Sequence, residues 1–495
     1  MARQADDSIP EARIRTSGDD TDFRADGDYV LYWMIANRRT GWNFSLQRAI
    51  QWARDLKKPL VVFEALRCGY RWASDRLHRF VIQGMWENQR RLDRAGVLYY
   101  PYIEPQEGDG RGLLHQLARR ACVVISDDFP CFFLPRMIAS ASQQIPVRFE
   151  LIDSNGILPL RAADRVFARA VDFRRFLQKH LRPHLDQFPD PDPLKGRRLA
   201  KLPELPHDVT GRWPSARLRE LLDEPSVLAA LAIDHSVTPS AIVGGSRQAE
   251  TVLQTFVDQR LARYSQERNA TDVEASSGLS PYLHFGHISA HQIFARVVNH
   301  DGWSSDCMAA KANGSREGWW GASPDVESFL DELITWRELG YNMCWQREDY
   351  DRYESLPAWA QKTLADHEGD QRAYRYDLER FEAAETHDPL WNAAQRQLVR
   401  EGRMHNYLRM LWGKKVLEWS PSPREALTTL IELNNKYALD GRNPNSYSGI
   451  FWVLGRYDRA WGPERPIFGK VRYMSSENTA RKLRVKDYMR RFSTA

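Results

Sequence analysis

Cysteine is scarce in this chain: five residues in 495, Cys68, Cys122, Cys131, Cys307 and Cys344, with no CxxC or CxxH spacing. That leaves neither a disulfide framework nor a thiol-based zinc knuckle, and the expectation is a reduced, cytoplasmic protein. No stretch approaches the roughly 18 consecutive apolar residues of a membrane helix, and the longest runs, at 60–63 and 122–125, have strand length. The opening MARQADDSIPEARIRTSGDD lacks the apolar core of a secretory signal. GxGxxG and GxxxxGK[ST] are also absent, so neither a dinucleotide fingerprint nor a P-loop can be claimed, and no internal repeat is visible. These absences exclude a membrane protein, a secreted disulfide scaffold and a zinc finger.

Tryptophan is abundant, 17 residues, of which 11 follow residue 300. Charge is nearly balanced, 70 Lys+Arg against 65 Asp+Glu, but unevenly spread. Residues 441–495 hold 12 Lys+Arg and 4 Asp+Glu, a net of +8, so the remainder sums to −3. A basic tail on an acidic body suits a polyanion, most often nucleic acid; on charge alone a solvated basic surface explains it as well.

The length predicts two domains. Residues 1–27, polar and charged, read as a disordered arm. From 28 to 160 strands and helices alternate. DYVLYWM (28–34), PLVVFEAL (59–66), VLYYPYI (97–103), CVVIS (122–126) and VRFELI (147–152) read as strands. The amphipathic runs 43–56, 75–96, 112–121 and 138–144 separate them. Such alternation predicts an α/β domain, a doubly wound parallel sheet that is Rossmann-like in outline. Pro-punctuated 161–240 reads as an inter-domain linker, and 241–495 as an all-α domain, interrupted at 276–286 and by a Gly/Trp/Ser insertion at 301–324.

Four segments could carry chemistry. SSGLSPYLHFG (276–286) offers backbone N–H groups and hydroxyls to a phosphate, although a helix cap with a turn reads the same way. In FLDELITWRE (329–338), Glu332 and Trp336 stand i,i+4 on one helix face, a carboxylate beside an indole. In MHNYLRMLWGKKVLEW (404–419), Trp412 and Trp419 are seven residues apart, roughly 10 Å along one face; this suits electron hopping and equally a buried heptad. Arg409 lies near them, and Asp440 is the nearest downstream acid; their burial as a pair would be costly unless it served a site. Finally, 445–473 interleaves Tyr447, Phe451, Trp452, Tyr457, Trp461 and Phe468 with Arg456, Arg459, Arg465, Lys470 and Arg472. Arginine for phosphates and aromatics for unstacked bases is the composition of a surface that holds an extruded nucleotide.

Together with GG (244–245), Tyr264, LNNKYALDGRNPN (433–445) and DRAWGPERPIFGKVRYM (458–474), these segments resemble the photolyase/cryptochrome family. They are most similar to the class II cyclobutane pyrimidine dimer photolyases, and the resemblance runs over roughly 25–490, densest after 244. The three residues between Glu332 and Trp336, where class I has two, and DGRNPN followed by DRAWG point to class II. The resemblance implies an N-terminal α/β antenna domain and a helical domain binding U-shaped FAD, active as FADH⁻. It places Tyr264, Ser276, Ser277, Leu279 and Ser280 at the flavin phosphates, Arg409 and Asp440 beside the isoalloxazine, and Asn434 at flavin N5. It gives Glu332, Trp336, Asn406, Met410, Trp452, Arg459, Trp461 and Arg472 to the dimer and its DNA strand. Trp391, Trp412 and Trp419 become the chain that photoreduces the flavin, with Trp412 nearest the ring.

The implied activity is light-driven repair of pyrimidine dimers in UV-damaged DNA by electron transfer from excited reduced FAD to a flipped-out dimer. The expected protein is a monomer with no membrane association and no metal. A cryptochrome-like photoreceptor would keep the flavin site but is expected to carry a signalling extension, whereas 21 residues follow Met474. A non-catalytic nucleic-acid-binding module would need neither Trp391, Trp412 and Trp419 nor the 276–286 loop. Enzymes for (6–4) lesions are expected to place histidines over the lesion, whereas Glu332, Trp336 and Met410 resemble the cyclobutane set. Three departures stand out: Gly278 within the phosphate loop, the 301–324 insertion before Glu332, expected to cover or reshape the pocket rim, and Pro463, expected to shift Arg472 relative to Trp461. The antenna region matches less well; a deazaflavin, a folate and an empty site all remain compatible with it.

Overall fold

The computed structural model describes residues 8–18 and 22–493. The chain divides into two compact units. One comprises the chain up to Ala162 with Pro183–Leu253 and Leu279–Arg296; the other comprises Ala163–Arg182, Gln254–Gly278 and Val297–Ala495.

The first unit is built on a six-stranded sheet: β1 (Ile14–Ser17), β2 (Tyr29–Met34), β3 (Leu60–Leu66), β4 (Leu98–Ile103), β5 (Ala121–Asp127) and β6 (Phe149–Ile152), in the order β1-β6-β5-β2-β3-β4. The five strands from β2 to β6 are parallel, in register through pairs such as Val30↔Leu60 and Val124↔Phe149, and β1 closes the edge antiparallel to β6. The unbroken Val/Leu/Ile/Tyr runs follow from burial on both sheet faces, with every residue of β2 and β5 buried. Asn43 caps α1 (Phe44–Asp55) by accepting from the backbone of Ser45 and Leu46, and left-handed Gly96 ends α2 (Asp75–Ala95).

Strand order reverses between β2 and β5, the place where open α/β sheets take ligands. There the Asp127 carboxylate accepts the N–H groups of Ile35, Ala36 and Asn37 at 2.9, 2.8 and 2.9 Å and the Tyr32 hydroxyl at 2.8 Å. A nest of amides that could hold a ligand anion is filled by the protein's own carboxylate.

Two expectations are corrected. The supposed arm is ordered across 8–18: Arg13 is buried, donating to the carbonyls of Gly156 and Ile157 at 3.1 and 2.7 Å beside Asp153, and β1 completes the sheet edge. The part of that arm at 1–7 and 19–21 lies outside the described residues. The supposed linker, 161–240, is divided between the units instead of joining them. Its later part packs on the first unit through buried Leu205, Val209, Trp213, Leu218 and Leu221, and the Trp213 indole donates to Asp109 O at 2.9 Å.

The second unit is helical, with no sheet among its described residues. Its central helices are α3 (Pro389–Glu401), α4 (Asn406–Trp419), α5 (Pro423–Tyr437) and α6 (Pro444–Val453). Asp388, Ser422 and Asn443 cap α3, α5 and α6, each followed by proline at the first helical position.

Candidate active site

Helix Pro324–Leu330 runs into one turn of π-helix, Asp331–Trp336, closed by the Arg337 N–H on Glu332 O, before helix Arg337–Gln346. Such wide turns concentrate at functional sites. Every residue from Asp331 to Cys344 is buried except Glu332 and Trp336, which are half-buried on one face. The sequence expectation was a plain α-helix; the π turn keeps the two side chains together. Their neighbour Asp331 is an anchor, held by Arg174 at 2.9 and 3.0 Å.

Glu332 is paired with Arg268, whose Nη1 donates to Oε1, and the Arg268 guanidinium lies 5.7 Å from the Tyr264 ring centroid. Arg268 is absent from the sequence-derived set, although it stands i,i+4 from Tyr264 at a spacing that shares a face. Burial, then the Glu332 charge, pushes the Tyr264 phenol up to about 12, so at neutral pH it is a hydrogen-bond donor and no base.

Further along, the Ser276 hydroxyl donates to Glu274 at 2.6 Å and Arg260 donates to the Ser276 carbonyl at 3.2 Å. Burial works against Glu274 ionisation, but Ser276 and Arg403 hold its carboxyl below the usual value. Tyr264, Ser276 and Ser277 belong to the second unit and Leu279 and Ser280 to the first. Gly278 between them is left-handed, φ +71°, a conformation in which a residue with a side chain would be strained.

Arg409 on α4 meets Asp440 at 3.2 Å, the pair expected from sequence, with side chains 26% and 14% exposed. Asn434 on α5 commits both amide hydrogens, to Ser446 Oγ at 2.6 Å and Asn435 Oδ1 at 3.1 Å. What it has left to present is a carbonyl oxygen, an acceptor. Asn406 and Met410 follow one another on a single face of α4, one exposed and one half-buried.

The three tryptophans of the expected chain are ordered by contact. Trp391 on α3 lies parallel to Trp412, centroids 6.4 Å apart at 8°, and meets Trp419 edge-on at 6.0 Å. It therefore bridges two α4 residues that sequence spacing alone leaves far apart. All three are at most 3% exposed. Trp391 donates to Trp412 O and Trp412 to Gln395 Oε1, both neutral acceptors. Beyond Trp419 lie Tyr376 and His387, with centroids at 5.7 and 4.9 Å, neither singled out from sequence.

In the basic segment, Arg472 lies 5.7 Å from the Trp452 centroid and 5.2 Å from that of Trp461, and Arg459 lies 4.7 Å from Trp461. Arg472 and Trp461 thus remain stacked despite Pro463. Arg456 is not part of this face: it is buried and donates to Tyr350 O at 2.9 Å. The 301–324 insertion folds on the second unit. Trp319 and Trp320 are buried, Glu327 accepts the N–H groups of Gly318 and Gly321 at 2.7 and 2.9 Å, and Arg316 approaches Asp331 at 3.7 Å.

No family model matches the chain. It is 34% identical over 485 residues to the deoxyribodipyrimidine photo-lyase of Methanothermobacter thermautotrophicus, covering 98% of each chain. It is 31% identical over 490 residues to the protein so named in Potorous tridactylus, covering 98% of this chain and 85% of that one. A third, from Arabidopsis thaliana, is 31% identical and covered to 88% of its length by 93% of this chain. Among solved structures, a bacterial class III photolyase from Agrobacterium tumefaciens shares the fold with a TM-score of 0.67 at 17% identity, over 94% of this chain and 86% of that one.

Proposed function

The chain belongs to the DNA photolyase family, and from that premise we propose that it repairs cyclobutane pyrimidine dimers in UV-damaged DNA, in the manner of class II enzymes. The observation that carries the lesion assignment is Glu332 beside Trp336, emerging half-buried from a π turn in an otherwise buried helix, with Arg268 on the carboxylate.

The residues fit a flavin. Arg409 and Asp440 form the ion pair expected beside an isoalloxazine ring, and Asn434 has only an acceptor to offer an N5–H, which suits FADH⁻. Tyr264 and the 276–280 loop would hold its phosphates. When bound, reduced and excited by blue light, FAD supplies one electron to the dimer and recovers it after the ring opens, so no net oxidation results.

The protein's part is extrusion, orientation and electrostatics. Glu332 would hydrogen-bond a dimer base while Arg268 offsets its charge, so negative charge arriving on the dimer is not repelled. Trp336 and Trp452 would pack against the lesion, with Asn406 and Met410 completing the contact. Arg459, Trp461 and Arg472 would hold the surrounding strand, making affinity fall with salt. Trp419, Trp391 and Trp412, in that order, would carry electrons inward to reduce the flavin.

The test is repair of a thymine-dimer oligonucleotide by the reduced protein under blue light, with a dark control and a (6–4) lesion in parallel. Repair of the cyclobutane dimer alone, in light alone, is expected. No repair by a protein whose flavin binds and photoreduces would favour the photoreceptor. In Glu332→Ala the yield should drop with flavin still bound; an unchanged yield would remove Glu332 from its role.

A further inference from the structure

Lys414 lies on α4, between Trp412 and Trp419 in sequence, and the sequence reading assigns it no part. It is fully buried. Gly413 makes its position possible, because a Cβ there would stand 2.4 Å from Val453 Cγ2, so α4 and α6 approach closely at this point. Across that contact the Lys414 amine donates to Val453 O at 2.6 Å, in the last turn of α6, where carbonyls lack helical partners. Its Nζ also stands 4.8 Å from the Trp452 ring centroid. Lys415, next in sequence, pairs with Glu418 at 2.7 Å and takes no part.

Lys414 therefore begins a series that continues outward through Trp452, Arg472, Trp461 and Arg459, cation and ring alternating at 4.8, 5.7, 5.2 and 4.7 Å. The inner end is buried, and the two arginines at the outer end are exposed. We propose that Lys414 is a positioning residue for DNA: its ammonium fixes the Trp452 ring and the end of α6, and it couples that placement to the phosphates held by Arg459 and Arg472. This rests on the reading of Trp452, Arg459 and Arg472 as DNA contacts.

The chemistry gives the coupling a sign. A charged ammonium attracts both the ring face and the helix C-terminus, and a neutral amine keeps only a weak hydrogen bond. Burial lowers the Lys414 ammonium to about 7, with Asp458 opposing the shift and Arg472 adding to it. Phosphates that settle on Arg472 cancel its repulsion and add attraction of their own. The bound complex thus favours the charged lysine, so binding takes up as much as one proton near neutral pH and affinity falls as pH rises through about 7.

The experiment is calorimetric titration of the flavin-loaded protein, in the dark, with thymine-dimer duplex and with undamaged duplex, in buffers of different ionisation heat from pH 6 to 9. Proton uptake by the wild type is expected and should vanish in both Lys414→Met and Lys414→Arg. The arginine variant should hold the low-pH affinity throughout and the methionine variant the high-pH affinity. A packing role alone would weaken both variants and leave the wild type without a pH response. Absence of proton uptake by the wild type, its persistence in Lys414→Met, or equal affinities of the two variants would overturn the proposal. Equal binding of damaged and undamaged duplex by the wild type would refute the repair reading, while the proton count on either duplex still decides the role of Lys414.

Discussion

The helical unit uses tryptophan in two ways a short distance apart in sequence. Trp412, Trp391 and Trp419 are dry, packed ring to ring, and the first two indole N–H groups meet neutral acceptors. Trp452 and Trp461 are half-buried and interleaved with cations. A cation over an indole stabilises its electrons and disfavours their removal, so the second set is poorly suited to electron transfer and well suited to an anionic, stacking partner. Among the described residues, the first set has a cation over a ring at Trp419, where Lys415 Nζ lies 5.5 Å from the centroid. On the proposed reading, what separates an electron path from a nucleic-acid surface is the company each ring keeps, since the residue type is the same.

That contrast can be broken in several places. The largest effect is expected of Trp391→Phe: it replaces the middle indole with a phenyl ring that is far harder to oxidise and should abolish photoreduction of the flavin by an external thiol, followed by absorbance under blue light, while lesion affinity is unchanged. Trp461→Ala should do the reverse, costing about 1–3 kcal/mol of DNA binding through lost stacking and sparing photoreduction. Gly413→Ala pushes a methyl against Val453 and should cost about 1–3 kcal/mol in urea unfolding. It should also weaken lesion binding, because Lys414 and Trp452 are displaced with it. Smallest is Arg459→Ala, which should lower the slope of log affinity against log salt by about 0.9 and weaken damaged and undamaged DNA alike.

The same contrast explains what could be read in advance. Buried parallel strands announce themselves as continuous apolar runs, and β2 to β6 fall within about two or three residues of their expected positions. The N-terminal edge strand was hidden because Arg13, a charge in a polar stretch, is buried by carbonyls supplied more than a hundred residues away. The Pro-punctuated stretch hid its attachment in isolated apolar residues such as Val209 and Trp213, too sparse to show a period. In the helical unit, motif resemblance singled out Glu332, Arg409 and Asp440, the last two of which pair in the structure, and three tryptophans that pack together there. It did not single out Arg268, Gln395, Lys414 or His387, whose contacts depend on which ring or carboxylate lies opposite. Only Arg268 carried a local signal, its i,i+4 relation to Tyr264.

The division of labour between the two tryptophan sets is tested most directly by reducing the flavin of Trp391→Phe chemically and assaying thymine-dimer repair under blue light. The account predicts wild-type repair, since the buried chain serves only to reduce the flavin, together with loss of repair when the variant starts from oxidised flavin. Failure of the chemically reduced variant to repair bound dimer would contradict it and place the buried chain within the repair step itself.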